Sequence, residues 1–431
     1  MSYSDLLERR AMRATPIGQS ISQNDMHPDL KPFQKKIVEW ACNGGRNAVW
    51  ADTGLGKTWM QVEWCRLVTT GRALIVAPLA VCDQTIREAA KHLGVTIKYV
   101  RDTSEVTDDH RIFITNFEMV PKIDPALFDA IALDEASILK QSDGKTRKML
   151  IEHFQTVQYR STWTATPGPN DPEELTNQSE FLGHMTRTNM LASYFVHDAD
   201  GWRLKGHAIG PMIKWMCTWA MAVKKPSDLG DSDEGYDLPG LEIIPETVHT
   251  RFAPDEGELF VAQIGGVTGR AKTRRESLPD RVARTVELIK SQPNEQWLLW
   301  VGLNDEATAL AKALPDAVNI HGSLTPEQKS DGLHQFAEGQ TQVLITKPAI
   351  ASMGLNFQTC ARTAFVGLSD SYEQYYQCIR RFYRFGQQRV VHAHIVLSDL
   401  EQQIAHNVMR KERQANRLID LMIQHQKEQQ K

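Results

Sequence analysis

The chain has 431 residues, 41% of them hydrophobic and 24% charged. That length allows about two to three domains with a large buried core, and the ordinary composition excludes a collagen-like, coiled-coil or wholly disordered chain. A formal net charge of −4, from 49 basic and 53 acidic residues, excludes nucleic-acid binding by bulk charge but leaves room for a local groove.

The opening MSYSDLLERRAMRATP carries acids and arginines where a secretory signal needs an apolar core. No later stretch approaches the roughly 18 apolar residues of a membrane span. Six scattered cysteines (Cys42, Cys65, Cys82, Cys217, Cys360, Cys378) form no C-x-x-C pair, which argues against a disulfide framework or structural zinc and for a reducing cytoplasm. From there, short apolar, β-branched runs alternate with helical stretches, the pattern of a parallel sheet covered on both faces. Runs at 47–51, 72–77, 111–115, 130–134 and 161–164 make a first set; 296–301, 317–320, 342–346, 363–367 and 392–397 make a second. The expected fold is therefore α/β, with two tandem doubly wound parallel-sheet lobes.

Residues between the two sets differ. The stretch 173–221 places Phe181, Met185, Met190, Tyr194, Phe195, Met212, Trp215, Met216 and Trp219 at helical spacing, which reads as helix core. DLGDSDEGYDLPG (228–240), acidic and rich in Gly and Pro, reads as an exposed loop. Six basic residues follow (Arg270, Lys272, Arg274, Arg275, Arg281, Arg284), either a solvated helix face or a phosphate-contact surface. The Gln-rich C-terminal segment reads as a polar helix frayed at its end. The expected domains are a first lobe at 1–170, a helical insertion and crossing segment at 171–290, a second lobe at 291–400 and a C-terminal helix at 401–431.

Chemistry concentrates at two places in the first lobe. ADTGLGKT (51–58) follows an apolar strand and opens a helix. Thr53, Gly54, Leu55 and Gly56 would curl the backbone so that its N–H groups face phosphate oxygens. Lys57 would reach the β- and γ-phosphates, and the Thr58 hydroxyl would complete a Mg²⁺ shell. IALDEAS (131–137) ends a buried strand with Asp134 and Glu135. Asp134 would hold Mg²⁺ and Glu135 would orient and deprotonate the attacking water.

On these residues the sequence resembles superfamily-2 helicases and translocases along nearly its whole length. DEAS (134–137) takes the place of the DEAD/DEAH box, LKPFQ (30–34) resembles the adenine-reading segment with Gln34, and TATP (164–167) resembles the motif linking the nucleotide site to nucleic-acid movement. Within that superfamily the Swi/Snf-like branch is the closest match, through GLGKT, IVAPLAVCDQ (75–84), ITNFEM (114–119), IHGSLTPEQK (320–329), MGLNF (353–357) and QCIRRFYRFGQ (377–387). The resemblance implies two RecA-like lobes, ATP with Mg²⁺ in the cleft between them, and Arg381 and Arg384 as arginine fingers. It places Gln377 near the γ-phosphate and Gly354 among the nucleotide contacts. Ser137 stands where Asp or His is usual, Ala351-Ser352 where two glycines are, and Lys329 where Arg is.

The resemblance also implies a motor gripping a nucleic-acid backbone through Pro78, Thr115, Asn116, Ser323, Thr325 and Asn356, without reading bases. Double-stranded DNA is the expected polymer, with RNA second. A nucleotide-gated clamp that does not travel is the alternative from another class. A compact chain of this kind suggests a monomeric, cytoplasmic factor of a bacterial or phage-infected cell.

Overall fold

A computed structural model describes residues 14–140, 144–168, 170–199, 201–249, 274–350, 357–369 and 371–429. The chain divides into two compact units, Met1–Tyr236 with Arg413–Lys431, and Asp237–Glu412.

In the first unit the strands are β1 (Arg46–Ala51), β2 (Ala73–Ala77), β3 (Ile97–Tyr99), β4 (Ile112–Asn116), β5 (Ala130–Asp134) and β6 (Tyr159–Trp163). A short hairpin follows, β7 (Phe195–Asp198) with β8 (Gly201–Leu204), and then β9 (Ala220–Val223). Seven of these form one parallel sheet in the order β3-β4-β2-β5-β6-β1-β9. Alternation along each strand sends side chains to opposite faces. Ala48, Trp50, Leu74, Val76, Ile131 and Leu133 join one core, while Val49, Ala51, Ile75, Ala77, Ala130 and Ala132 join the other. Both faces are therefore covered, as a parallel sheet requires.

The second unit repeats the plan with β10 (Leu241–Val248), β11 (Trp297–Trp300), β12 (Val318–Ile320), β13 (Val343–Thr346), β14 (Arg362–Phe365) and β15 (Val391–Ser398). Their order is β10-β15-β14-β11-β13-β12, again all parallel. The ten apolar runs coincide with ten strands to within two residues. Unforeseen were β3, the β7–β8 hairpin, β9 and β10. Pro245 sits in β10 because that strand lies at the sheet edge, where a missing N–H costs no ladder bond.

Residues 171–236 pack with the first unit, where β9 extends the sheet along β1. The aromatic and Met stripe is core as expected, with Phe181, Met190, Met212, Met216 and Trp219 buried. The C-terminal segment forms the expected helix, Gln402–Gln429, and 430–431 lie outside the described residues. Leu418, Met422 and Ile423 are buried in the first unit's core, and Lys427 binds Asp228 at 2.9 Å. The acidic loop is likewise pinned rather than free: Lys36 holds Asp231 and Lys225 holds Asp233, each at 2.9 Å, and Tyr236 meets Phe33 edge-on. All six cysteines are free and buried.

His184 is half-buried, stacked on Trp219, with Nε2 2.9 Å from the Arg46 carbonyl oxygen. Burial, with the charges of Arg46 and Arg160, pulls the imidazole down from 6.5 to about 4. As pH falls below 6.5 the unfolded chain takes up a proton that the folded chain refuses, so stability drops toward pH 4 and is intact above 6.5. Discounted for partial exposure, the loss is about 2 kcal/mol. In His184→Gln, urea midpoints measured from pH 7 down to pH 4 should show a correspondingly flatter decline.

Candidate functional site

The C-terminal end of β1 delivers Ala51 to the loop that precedes the helix Lys57–Leu67. Gly54 and Gly56 have φ of 85° and 80°, left-handed values that other residues adopt at a cost. At Gly56 a Cβ would also stand 2.3 Å from Gln34 Nε2. Gln34 is 3% exposed, and its amide donates to the Leu55 carbonyl at 2.8 Å and accepts from the Lys31 N–H at 2.9 Å. It thus clamps the loop from the helix Pro32–Gly44. Lys57 Nζ lies inside the curl, donating to the carbonyls of Ala51 (2.9 Å) and Asp52 (3.1 Å). The Thr53 N–H is held by the Asp52 carboxylate at 2.6 Å. Thr58 follows in the first turn of the helix.

Asp134 ends β5, two strands from β1 in the sheet. Its carboxyl is raised well above the usual carboxylate range, first by burial and then by the Glu135 charge, while the Lys57 ammonium pulls it down. Two motifs 77 positions apart thus share one electrostatic neighbourhood. Two adjacent carboxyl groups, one buried, with a single ammonium opposite, are a donor set deficient in positive charge, which suits a hard divalent cation shared with phosphates. Among the described residues no group of three or more His, Cys, Asp or Glu could hold a metal by itself. Glu135 has φ of 49° and is the non-glycine residue found at positive φ among those described. A side chain in this region costs about 1–2 kcal/mol, and such strain concentrates at functional sites. Ser137 is buried, its hydroxyl 3.5 Å from the Glu135 carbonyl.

Beyond β6, the Thr166 N–H donates to Thr164 Oγ1 at 3.0 Å, and both threonines are buried. Gln178, unremarked in sequence, fastens this turn. Its amide donates to the Pro167 carbonyl (2.8 Å) and accepts from Trp50 Nε1 and Thr162 Oγ1 (both 3.0 Å). Of the polymer-contact candidates, Pro78 precedes the helix Leu79–Leu93. Thr115 is fully buried with its hydroxyl on the Val100 carbonyl, and Asn116 is engaged by Tyr99 and Glu118.

In the second unit Gln377 lies on the helix Tyr372–Ile379, and Arg381 and Arg384 lie in the turns after it. Gln377 and Arg381 line a recess of about 100 Å³ with Trp300 and Gln374. Neighbouring members of the arginine box build structure. Arg380 stacks on Tyr376 and Tyr383 (4.9 and 5.4 Å). Gly386 supplies a φ of 93°. Gln387, 5% exposed, donates to the carbonyls of Cys360 and Phe382 and accepts from the N–H groups of Gln388 and Arg389. Ser323 is exposed beside His321, and Thr325 caps the helix Pro326–Ala337. Gly354 and Asn356 lie outside the described residues.

The basic run at 270–284 resolves toward structure where it is described. Arg281 is fully buried, bonded to Glu306 at 2.9 Å, to the Val366 carbonyl and to Ser277. Arg274 also binds Glu306, and Arg284 pairs with Glu246 and Glu287. Arg270 and Lys272 lie outside the described residues. Arg281 recurs at helical spacing with the buried Val282, Thr285, Leu288 and Ile289, the one sequence signal of an inward-facing arginine.

Two α/β units with parallel sheets, the first carrying a phosphate-loop lysine beside an acidic pair whose Asp134 is buried, define the class of P-loop ATPases. Comparison sharpens this. A family profile described as SNF2-related domain matches residues 33–193, and one described as helicase conserved C-terminal domain matches residues 280–386. The two together span more than half of the chain. The protein is a superfamily-2 ATPase of the Swi/Snf-like branch, and its two sheets are the tandem RecA-like lobes of that enzyme class. Among solved structures it is similar to the SWI2/SNF2 ATPase core of Sulfolobus solfataricus in complex with dsDNA (17% identity over 88% of this chain and 90% of that one, TM-score 0.46). It is also similar to the same organism's SWI2/SNF2 ATPase core domain (17%, 91% and 92%, TM-score 0.45). No curated protein sequence matches. No helix among the described residues is long and apolar enough to cross a membrane.

Proposed function

We propose that this protein is an ATP-driven motor that travels along double-stranded DNA, with ATP and Mg²⁺ at the Lys57–Asp134–Glu135 site. The observation that carries this reading is the Lys57 ammonium curled into its glycine loop on the Ala51 and Asp52 carbonyls, in the same sheet whose strand β5 ends at Asp134, with Glu135 next, at the strand ends where open α/β sheets bind ligands. The loop N–H groups of 54–58 cradle the phosphates, and Lys57 leaves its two carbonyls for the β- and γ-oxygens. Thr58 and Asp134 would hold Mg²⁺, which would supply neutralising charge to the phosphates, and Glu135 would take the proton of the attacking water. Arg381 and Arg384 supply guanidinium charge to the transition state and Gln377 orients the γ-phosphate, roles supported by the helicase C-terminal match. Duplex DNA is favoured over RNA by the SNF2-related match, with contacts chiefly through backbone phosphates.

An ATPase panel tests the polymer. Duplex DNA should raise the rate many-fold, single-stranded DNA and RNA should raise it less, and added salt should weaken the stimulation steeply. Stimulation by RNA alone would reassign the polymer. Equal rates with and without any nucleic acid would contradict the motor reading.

A further inference from the structure

Arg46 and Arg160 are Cα partners on neighbouring parallel strands, β1 and β6. Like charges set opposite each other across strands destabilise a sheet unless something offsets them. Arg160 is 3% exposed. Its Nη1 donates to the Phe181 carbonyl at 2.7 Å, closing the C-terminal end of the helix Leu175–Leu182, but its buried Nε has no hydrogen-bond partner. Arg46 donates through Nε to the Gln158 carbonyl at 2.9 Å. Among the described residues no carboxylate contributes to the electrostatic surroundings of either guanidinium. Burial dominates at both, and at Arg160 the other arginine adds to it.

The two tips converge on one point. A Cβ at Gly183, whose φ is 78°, would stand 2.6 Å from Arg160 Nη2 and 3.1 Å from Arg46 Nη1. Gly183 is exposed, so this point is open to solvent. The helix end that Arg160 caps offers about half a negative charge, too little for two cations. A buried, incompletely bonded cation without a counter-charge calls for a partner from outside the chain. The place is also remote from the nucleotide loop: Arg46 opens β1 and Ala51 closes it, about 16 Å further along the strand.

We propose that Arg46, Arg160 and the Gly183 turn form a binding site for a phosphate-type oxyanion at the N-terminal ends of β1 and β6. Guanidinium forks match the oxygens of such a group in geometry and charge. Free phosphate and the phosphates of a nucleic-acid backbone share this chemistry. The site does not depend on the motor reading, because neither arginine belongs to the nucleotide loop.

The test is phenylglyoxal labelling of the full-length protein, with modification of Arg46 followed by peptide mass spectrometry at constant ionic strength. In one arm inorganic phosphate replaces chloride. In the other, duplex DNA is added. Labelling of Arg46 should slow about tenfold once the protecting anion reaches ten times its dissociation constant. The protection should be the same in Lys57→Ala, which removes the nucleotide-loop lysine. Protection by phosphate assigns a free anion, and protection by DNA alone assigns backbone phosphates; both support the site. Where phosphate also raises the melting temperature of wild type and Lys57→Ala, Arg46→Met should abolish that rise. Unprotected Arg46 in both arms, protection lost in Lys57→Ala, or a melting shift retained in Arg46→Met overturns the proposal.

Discussion

Glu135→Gln is expected to lower kcat for ATP hydrolysis by about a hundredfold to ten-thousandfold, the usual contribution of a positioned general base. The amide is isosteric with the carboxyl and keeps the backbone at its φ of 49°, so the loop geometry should persist. What disappears is the group that accepts the water's proton and the charge that presses on Asp134. Binding of a fluorescent ATP analogue should therefore stay within a few-fold of wild type. Steady-state ATPase assays beside that titration separate the two quantities. A loss of binding equal to the loss of rate would mean that Glu135 acts structurally.

The second large effect concerns stability. Arg281→Ala should destabilise the second unit by about 3–5 kcal/mol, the cost of leaving the partner of a buried pair uncompensated. Glu306 is fully buried, and its carboxylate accepts from Arg274, from Arg281 and from the N–H groups of Gly302 and Leu303. Burial alone would raise that carboxyl. The two arginines instead hold it below its ordinary range, so both guanidiniums are integral to the cluster. Glu401 extends it through Ser277 and Ser398. Urea unfolding should show an earlier transition in Arg281→Ala. The double variant Arg281→Met with Glu306→Gln should recover part of the loss, because it removes both charges together.

These cases show where sequence reading succeeds and where it stops. Central parallel strands such as 73–77 and 130–134 are buried on both faces, so they surface as uninterrupted apolar runs. GLGKT and DEAS are legible because a phosphate loop needs its glycines at fixed spacing and a strand end presents its acids where the next turn begins. The strand β9 was hidden because AMAV continues the Met and Trp pattern of the preceding helix, and only its pairing with β1 declares it a strand. Helical spacing alone hints that Arg281 turns inward, but its partners Glu306 and Glu401 lie 25 and 120 positions away, a pairing that no local period encodes. In the arginine box, spacing marked every member alike. The fold separates Gly386 and Gln387, which shape the turn, from Gln377 and Arg381, which face a recess.

Displacement of a third strand from a DNA triplex measures travel along a duplex independently of ATP turnover. Wild-type protein should release the third strand in an ATP-dependent way, at a rate that Glu135→Gln abolishes. Brisk DNA-stimulated hydrolysis with the triplex left intact would contradict the motor and leave a nucleotide-gated clamp in its place.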